Sequence, residues 1–210
     1  MTTRGKFITF EGGEGGGKST QAKRLAVELA ASGLEVDLTR EPGGTPGAEA
    51  IRGLLVGGAV ERWQPWSEAL LHYAARLDHV RSRIEPALAA GRWVICDRFA
   101  DSTAAYQGFG HQLGRESIAR LHRLVLGEFK PDLTLILDLP VELGLRRASA
   151  RGGGEDRYER MDRAFHERLR QGFLAIAATE RERCAVIDAS AEPDAVFAAL
   201  RAQVRERLGR

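Results

Sequence analysis

The stretch Gly12-Gly13-Glu14-Gly15-Gly16-Gly17-Lys18-Ser19 constrains the fold of this chain more than any other. It matches the pattern G-x-x-x-x-G-K-S/T and lies between a β-rich run, Lys6 to Glu11, and a helical pattern over Lys18 to Ala31 carrying Ala22, Leu25, Ala26 and Leu29. Glycines let consecutive backbone N–H groups turn toward one anion, and the N-terminus of the following helix adds positive potential. A lysine at the helix start then reaches the β- and γ-phosphates of a nucleotide. The segment Gly12 to Thr20 is therefore the expected ATP-binding loop, in which Gly12, Gly13, Glu14, Gly15, Gly16 and Gly17 shape the cradle. Lys18 is its catalytic cation, and Ser19 offers a hydroxyl to Mg²⁺.

Four more strand-like runs follow, Glu35 to Thr39, Trp93 to Asp97, Leu133 to Leu139 and Cys184 to Asp188, separated by stretches with helical spacing. That alternation predicts a parallel sheet with helices on both faces, an α/β fold. The segment from Ala48 to Ala90, about residues 48–90, repeats Leu70, Leu71, Ala74, Leu77 and Ile84 at helix spacing. It is too long for a simple crossover and is expected to carry a subsite of its own. A polar RGGGEDR run at Arg151 to Arg157 precedes a helix expected to carry Met161, Phe165, Leu169 and Phe173. Its glycines predict a lid over about residues 147–160. A single domain over residues 1–210 is the expected organisation, and Trp63, Trp66 and Trp93 are expected to pack.

Composition narrows the function. Acidic and basic residues nearly cancel at a net charge of +2, which argues against a nucleic-acid-coating or membrane-surface protein. No stretch approaches the roughly 20 apolar residues of a membrane span. Cys96 and Cys184 lie in apolar runs without metal-type spacing and are expected to be reduced core thiols. A cytoplasmic protein is the resulting expectation. Switch GTPases read guanine with an Asn-Lys-x-Asp segment, and this chain has no asparagine.

The remaining motifs stand at strand ends and in the helical segment. Arg40-Glu41-Pro42-Gly43-Gly44-Thr45 follows the second strand, and Tyr73-Ala74-Ala75-Arg76 lies in the insertion. Asp97-Arg98 and Ala105-Tyr106-Gln107-Gly108 follow the third strand. In order and spacing, together with RGGGEDR, these resemble bacterial thymidylate kinases over nearly the whole chain. The resemblance implies a five-stranded parallel sheet in the order 2-3-1-4-5, ATP as donor, thymidine monophosphate as acceptor, and a homodimer. It places Arg98 and Arg40 on the acceptor phosphate, Asp97 on Mg²⁺ through water, and Glu14 at the sugar 3′-hydroxyl. Arg76 would donate to thymine O4, Tyr106 would crowd the ribose 2′ position, and Thr103 and Gln107 would complete the acceptor site. His72 stands where the family usually has a phenylalanine stacked on thymine, and an imidazole offers less stacking area.

The variable loop positions Gly13, Glu14, Gly15 and Gly16 carry no cation, so another must meet the transferring phosphoryl. The lid offers Arg147, Arg151 and Arg157; the resemblance to the lid-arginine type assigns this role to Arg151 and stacks Arg147 on adenine, with Arg157 the alternative for the role unless it only pairs with Glu155 or Asp156. Two other readings fit the same motif: a P-loop kinase for another nucleotide or nucleoside, and a regulatory module that hydrolyses ATP slowly.

Overall fold

The structure is a computed structural model that describes residues 4–151 and 157–210, without the side chain of Arg151. Five parallel strands form one sheet in the order β2-β3-β1-β4-β5. They are β1 (Phe7–Glu11), β2 (Val36–Arg40), β3 (Trp93–Asp97), β4 (Leu133–Asp138) and β5 (Cys184–Asp188). Strands β1 and β4 are buried almost throughout, as expected for a parallel sheet covered on both faces. The predicted strand order and class hold.

Helix α1 (Lys18–Ala31) leaves the glycine loop and, with α9 (Pro193–Leu208), covers one face through Leu25, Leu29, Val196 and Leu200. On the other face, Phe7, Val94 and Phe99 pack against Val80, Ile84 and Leu88. The predicted helical insertion resolves into α2 (Pro46–Leu55), a short turn at Val60–Arg62, and α3 (Pro65–His79). Helix α3 widens into a π turn at Val80–Ile84 and ends as α4 (Glu85–Ala89). Helix α2 starts at Pro46, earlier than its apolar pattern indicates, because proline presets the first turn and Thr45 Oγ1 accepts from Ala48 N at 3.3 Å.

After β3, α5 (Ala100–Thr103) runs into a second π segment, Ala104–Gly110, followed by α6 (Arg115–Leu126). Helix α7 (Val141–Arg151) leads into the segment expected to form a lid, and α8 (Arg163–Thr179) follows it. Phe165, Leu169 and Phe173 are buried on α8 as predicted. Met161 lies before the helix, which Asp162 starts by accepting from Phe165 N at 2.6 Å. The lid residues 152–156 expected to be glycine-rich and mobile lie outside the described residues. Both cysteines are free and buried. Trp93 is buried, but Trp66 is 44% exposed, so its expected packing role fails within the chain.

This architecture brings the C-terminal ends of β1, β2 and β3 together under the glycine loop. The loop is pressed against α7: a Cβ on Gly15, whose φ is +69°, would lie 2.0 Å from the Gly144 carbonyl oxygen. Only glycine tolerates both that backbone conformation and that approach.

Candidate active site

A cavity of about 620 Å³ opens where the strand ends meet the helical insertion. One wall is the loop from Glu14 to Thr20, and the other is built from Arg40, His72, Arg76, Asp97, Arg98, Thr103, Tyr106 and Gln107. The structure therefore collects into one cavity the residues that the sequence places far apart. Gly12 and Gly13 shape the loop behind it and line a second, much smaller pocket.

At its foot, the Lys18 ammonium donates to Gly13 O at 2.5 Å, curling back over the loop it must serve. Burial pulls its pKa down to about 8, and Arg98 pushes in the same direction. The Ser19 hydroxyl donates to the Asp97 carboxylate, so the two expected Mg²⁺ contacts are already adjacent.

Arg98 stands just past β3 with φ at +72°, a backbone conformation rare outside glycine. Its backbone N–H donates to Phe10 O, and its guanidinium donates to Gly12 O at 3.0 Å and to Glu14 Oε1 at 2.9 Å. Tyr106 O–H donates to the same Glu14 oxygen at 2.5 Å, and the Arg98 guanidinium lies 5.0 Å from the Tyr106 ring centre. Burial alone would raise the Glu14 pKa, but Arg98, Lys18 and the Tyr106 hydroxyl outweigh it and hold the carboxyl at about 2.

Arg76 is buried rather than solvated. Its Nε donates to Glu41 Oε2 at 2.7 Å and its Nη2 to Phe99 O at 3.0 Å. Its Nη1 has no partner among the described residues. Gln107 is its counterpart, with Nε2 donating to Glu68 Oε1 at 2.7 Å and an unpaired Oε1. Thr103 Oγ1 is also buried without a described partner.

His72 lies beside the cavity as expected but makes a contact the sequence does not reveal, a 2.9 Å hydrogen bond between Nε2 and Tyr158 Oη. Burial and Arg76 together push its pKa down to about 4, so the ring is neutral at neutral pH. Arg40 is half exposed, held by Glu49 at 3.1 Å, and Arg52, unmentioned by any motif, reaches the same cavity while donating to Pro42 O at 2.8 Å. Arg147 donates to the carbonyls of Ala189 and Ser190, at 2.7 and 3.1 Å. The assignment to the Arg151 side chain lies outside the described residues.

Arg157 makes contacts that the sequence does not reveal. It is fully buried, donates to the carbonyls of Leu55, Ala59 and Val60, and lies 2.5 Å from Glu68 Oε2. It ties the chain ahead of α8 to the α2–α3 connection. Its expected partners Glu155 and Asp156 lie outside the described residues.

A phosphate-cradling loop with its lysine, facing an arginine-lined cavity at the strand ends of a parallel sheet, defines a P-loop phosphotransferase. A family model described as thymidylate kinase matches residues 10–200. The thymidylate kinase of Caulobacter vibrioides is 61% identical, over 99% of both chains. That of Bradyrhizobium sp. strain ORS 278 is 54% identical over 98% of this chain and 92% of its own. The crystal structure of thymidylate kinase from Ehrlichia chaffeensis is 36% identical with a TM-score of 0.78, covering 96% of this chain and 99% of that one. The chain belongs to the thymidylate kinase family.

One buried acid lies beneath this site. Glu11, fully buried, accepts from Phe99 N at 2.7 Å and from the Ser102 hydroxyl at 2.6 Å. Burial, and then Asp101, raise its pKa from 4.5 to about 7, against the opposing pull of Ser102 and Arg98. With the folded value above the unfolded one, its contribution to stability is complete below pH 4.5 and is lost as pH rises through about 7. Glu11→Gln should therefore gain stability relative to the parent as pH rises across that window, by about 1–3 kcal/mol. Urea unfolding of both proteins at the two ends of the window checks this, and a constant difference would refute it.

Proposed function

We propose that the chain transfers the γ-phosphate of ATP to thymidine monophosphate. The observation that carries this reading is the pair of unsatisfied groups on residues of the cavity wall, Arg76 Nη1 as donor and Gln107 Oε1 as acceptor. A buried polar group left unpaired costs about 1–3 kcal/mol, so a ligand that pairs with both is favoured. Thymine offers O4 as acceptor beside N3–H as donor, the matching order. Cytosine offers the reverse.

In this reading the acceptor phosphate lies toward Arg98 and Arg40, and its sugar 3′-hydroxyl meets Glu14. Tyr106, fixed by its bond to Glu14, fills the space a ribose 2′-hydroxyl would need. His72 and Tyr158 form the wall against the base. Lys18 turns from Gly13 O to the donor phosphates, with the loop N–H groups holding their oxygens. The acceptor oxygen is already anionic at neutral pH, so no residue need remove a proton; alignment and charge neutralisation carry the rate. Ser19 and Asp97 fit Mg²⁺, because both offer hard oxygens already side by side. Among the described residues no cluster of three or more His, Cys, Asp or Glu side chains could hold a metal, so phosphate and water would complete its shell. When bound, the ion supplies charge neutralisation to the phosphates. Arg147 lies toward the adenine. A cytoplasmic setting agrees with two buried, unpaired thiols.

A coupled ADP-release assay across thymidine, deoxyuridine, deoxycytidine and uridine monophosphates and free thymidine tests the acceptor. Thymidine monophosphate should give the highest kcat/KM; ATP turnover indifferent to every acceptor would sink the reading.

Arg151 ends α7, whose Gly144 packs against the phosphate loop, and no basic side chain occupies the variable positions of that loop. A cation that meets the phosphoryl mainly in the transition state shows in turnover and not in binding. Arg151→Ala should lower kcat by about 10² to 10⁴ with little change in KM, somewhat below the full effect of an arginine finger because Lys18 remains. Steady-state kinetics at saturating ATP measure this, and a near-normal kcat would remove the role.

For the homodimer, α3 supplies a surface: Trp66, Leu70 and Leu77 lie on one stripe and are 44%, 54% and 37% exposed, with Leu124 of α6 at 83%. Leu70→Glu should yield monomers in sedimentation velocity at concentrations where the parent is dimeric. A parent that sediments as a monomer would exclude the dimer.

A further inference from the structure

We infer that Glu68 is a positioning residue that sets the pyrimidine selectivity of the acceptor site by fixing which way the Gln107 amide faces. The inference rests on the acceptor reading above and adds to it the source of its discrimination.

Both side chains are inaccessible, Glu68 at 0% and Gln107 at 1%. Glu68 comes from α3 and Gln107 from the π segment after α5, so they meet only through the tertiary fold. The two ends of a glutamine amide have nearly the same shape, and only hydrogen bonding decides which end faces where. Here Glu68 Oε1 lies 2.7 Å from the Gln107 amide. An ionised carboxylate has no proton to give, so it accepts only the NH₂ end. The carbonyl end is thereby turned away from Glu68 and is left without a partner. The opposite orientation would place two acceptors in contact inside the protein.

Glu68 is kept ionised by its surroundings. Arg157 lies 2.5 Å from Oε2 and His111 Nε2 lies 3.4 Å from Oε1. Burial works against ionisation, but His111, His72 and Arg157 prevail and bring the pKa to about 2. Arg157 is itself fixed by three main-chain carbonyls, so the charge that polarises Glu68 does not move.

The chemical consequence is a choice between bases. A pyrimidine with N3–H donates to Gln107 Oε1 while its O4 accepts from Arg76 Nη1. Cytosine would set a lone pair against Oε1 and an amino group against a guanidinium, two mismatches in a water-poor site. Sites built this way discriminate far more strongly than apolar pockets do.

Glu68→Gln removes the constraint, because a second amide can donate to Gln107 Oε1 and let its NH₂ end turn to the base. Glu68→Asp keeps a carboxylate for Arg157 but withdraws it from Gln107, and it carries the test if Glu68→Gln fails to fold. The measurement is the ratio of kcat/KM for thymidine monophosphate over deoxycytidine monophosphate, both substrates assayed on one preparation so that the folded fraction cancels. Each variant should lower this ratio at least about tenfold, as loss of one matched buried hydrogen bond implies. In Glu68→Gln, deoxycytidine monophosphate should also be phosphorylated faster than by the parent. A ratio equal to the parent's, with both activities reduced together, would overturn the inference and leave Glu68 a structural residue. A parent without activity on thymidine monophosphate would instead overturn the acceptor reading.

Discussion

The ion pair between Arg98 and Glu14 is the contact on which the site depends. Glu14 belongs to the phosphate loop after β1 and Arg98 to the end of β3, and these strands are paired neighbours in the sheet. Both side chains are mostly buried, at 18% and 13% exposure. Removing one partner from such a pair leaves an uncompensated buried charge, at a cost of about 3–5 kcal/mol. Donor loop and acceptor wall are therefore one electrostatic unit. Lys18 adds a second cation to the same carboxylate, and Asp97 faces both cations. The left-handed backbone at Arg98 follows from that geometry, since its guanidinium must turn back across the strand end to reach Gly12 and Glu14.

A second buried network holds Arg76. Glu41 accepts from Arg76 and pairs with His79 Nδ1 at 3.0 Å, while His79 Nε2 meets Thr39 Oγ1 at 2.8 Å. Arg76 is also flanked by the rings of Tyr73 and Phe99, at 4.8 and 5.3 Å. The side chain has no freedom left, and only Nη1 remains for a ligand. Gly44 explains the glycine pair in the preceding loop: at φ of +93°, a Cβ there would lie 2.4 Å from His79 Nε2. The REPGGT segment is thus shaped by packing against the network that holds Arg76.

Much of this was legible in the sequence because it is local. Strands announce themselves by apolar runs, and the glycine loop by residue types that only one backbone geometry requires. What escaped is what the tertiary fold alone brings together. Glu68 reads as an ordinary helical glutamate among Trp66, Ser67 and Ala69, and nothing near it in sequence signals Gln107 or Arg157. Tyr158 follows a glycine-rich run and gives no hint that it meets His72. Trp66 reads as core by type, yet lies outward, because residue type alone does not say which face of α3 meets the rest of the chain. The widening of α3 and of the segment after α5 into π turns likewise has no short sequence signal, and it is the second of these that holds Tyr106 and Gln107 in the cavity wall.

Arg157 shows how a charged residue near a catalytic loop is distinguished from a catalytic one. Composition and position alone make it a rival of Arg151 for the transferring phosphoryl. Its guanidinium, however, is inaccessible and already engaged by three carbonyls and a carboxylate. Reaching a phosphate would require breaking several buried, charge-assisted contacts, each worth about 1.5–3 kcal/mol. Through these contacts Arg157 fixes the chain ahead of α8 to the α2–α3 connection. The same side chain pairs with Glu68, which grips Gln107. Arg157 and Gln107 thus share one buried carboxylate, and any displacement of the first is felt at the second.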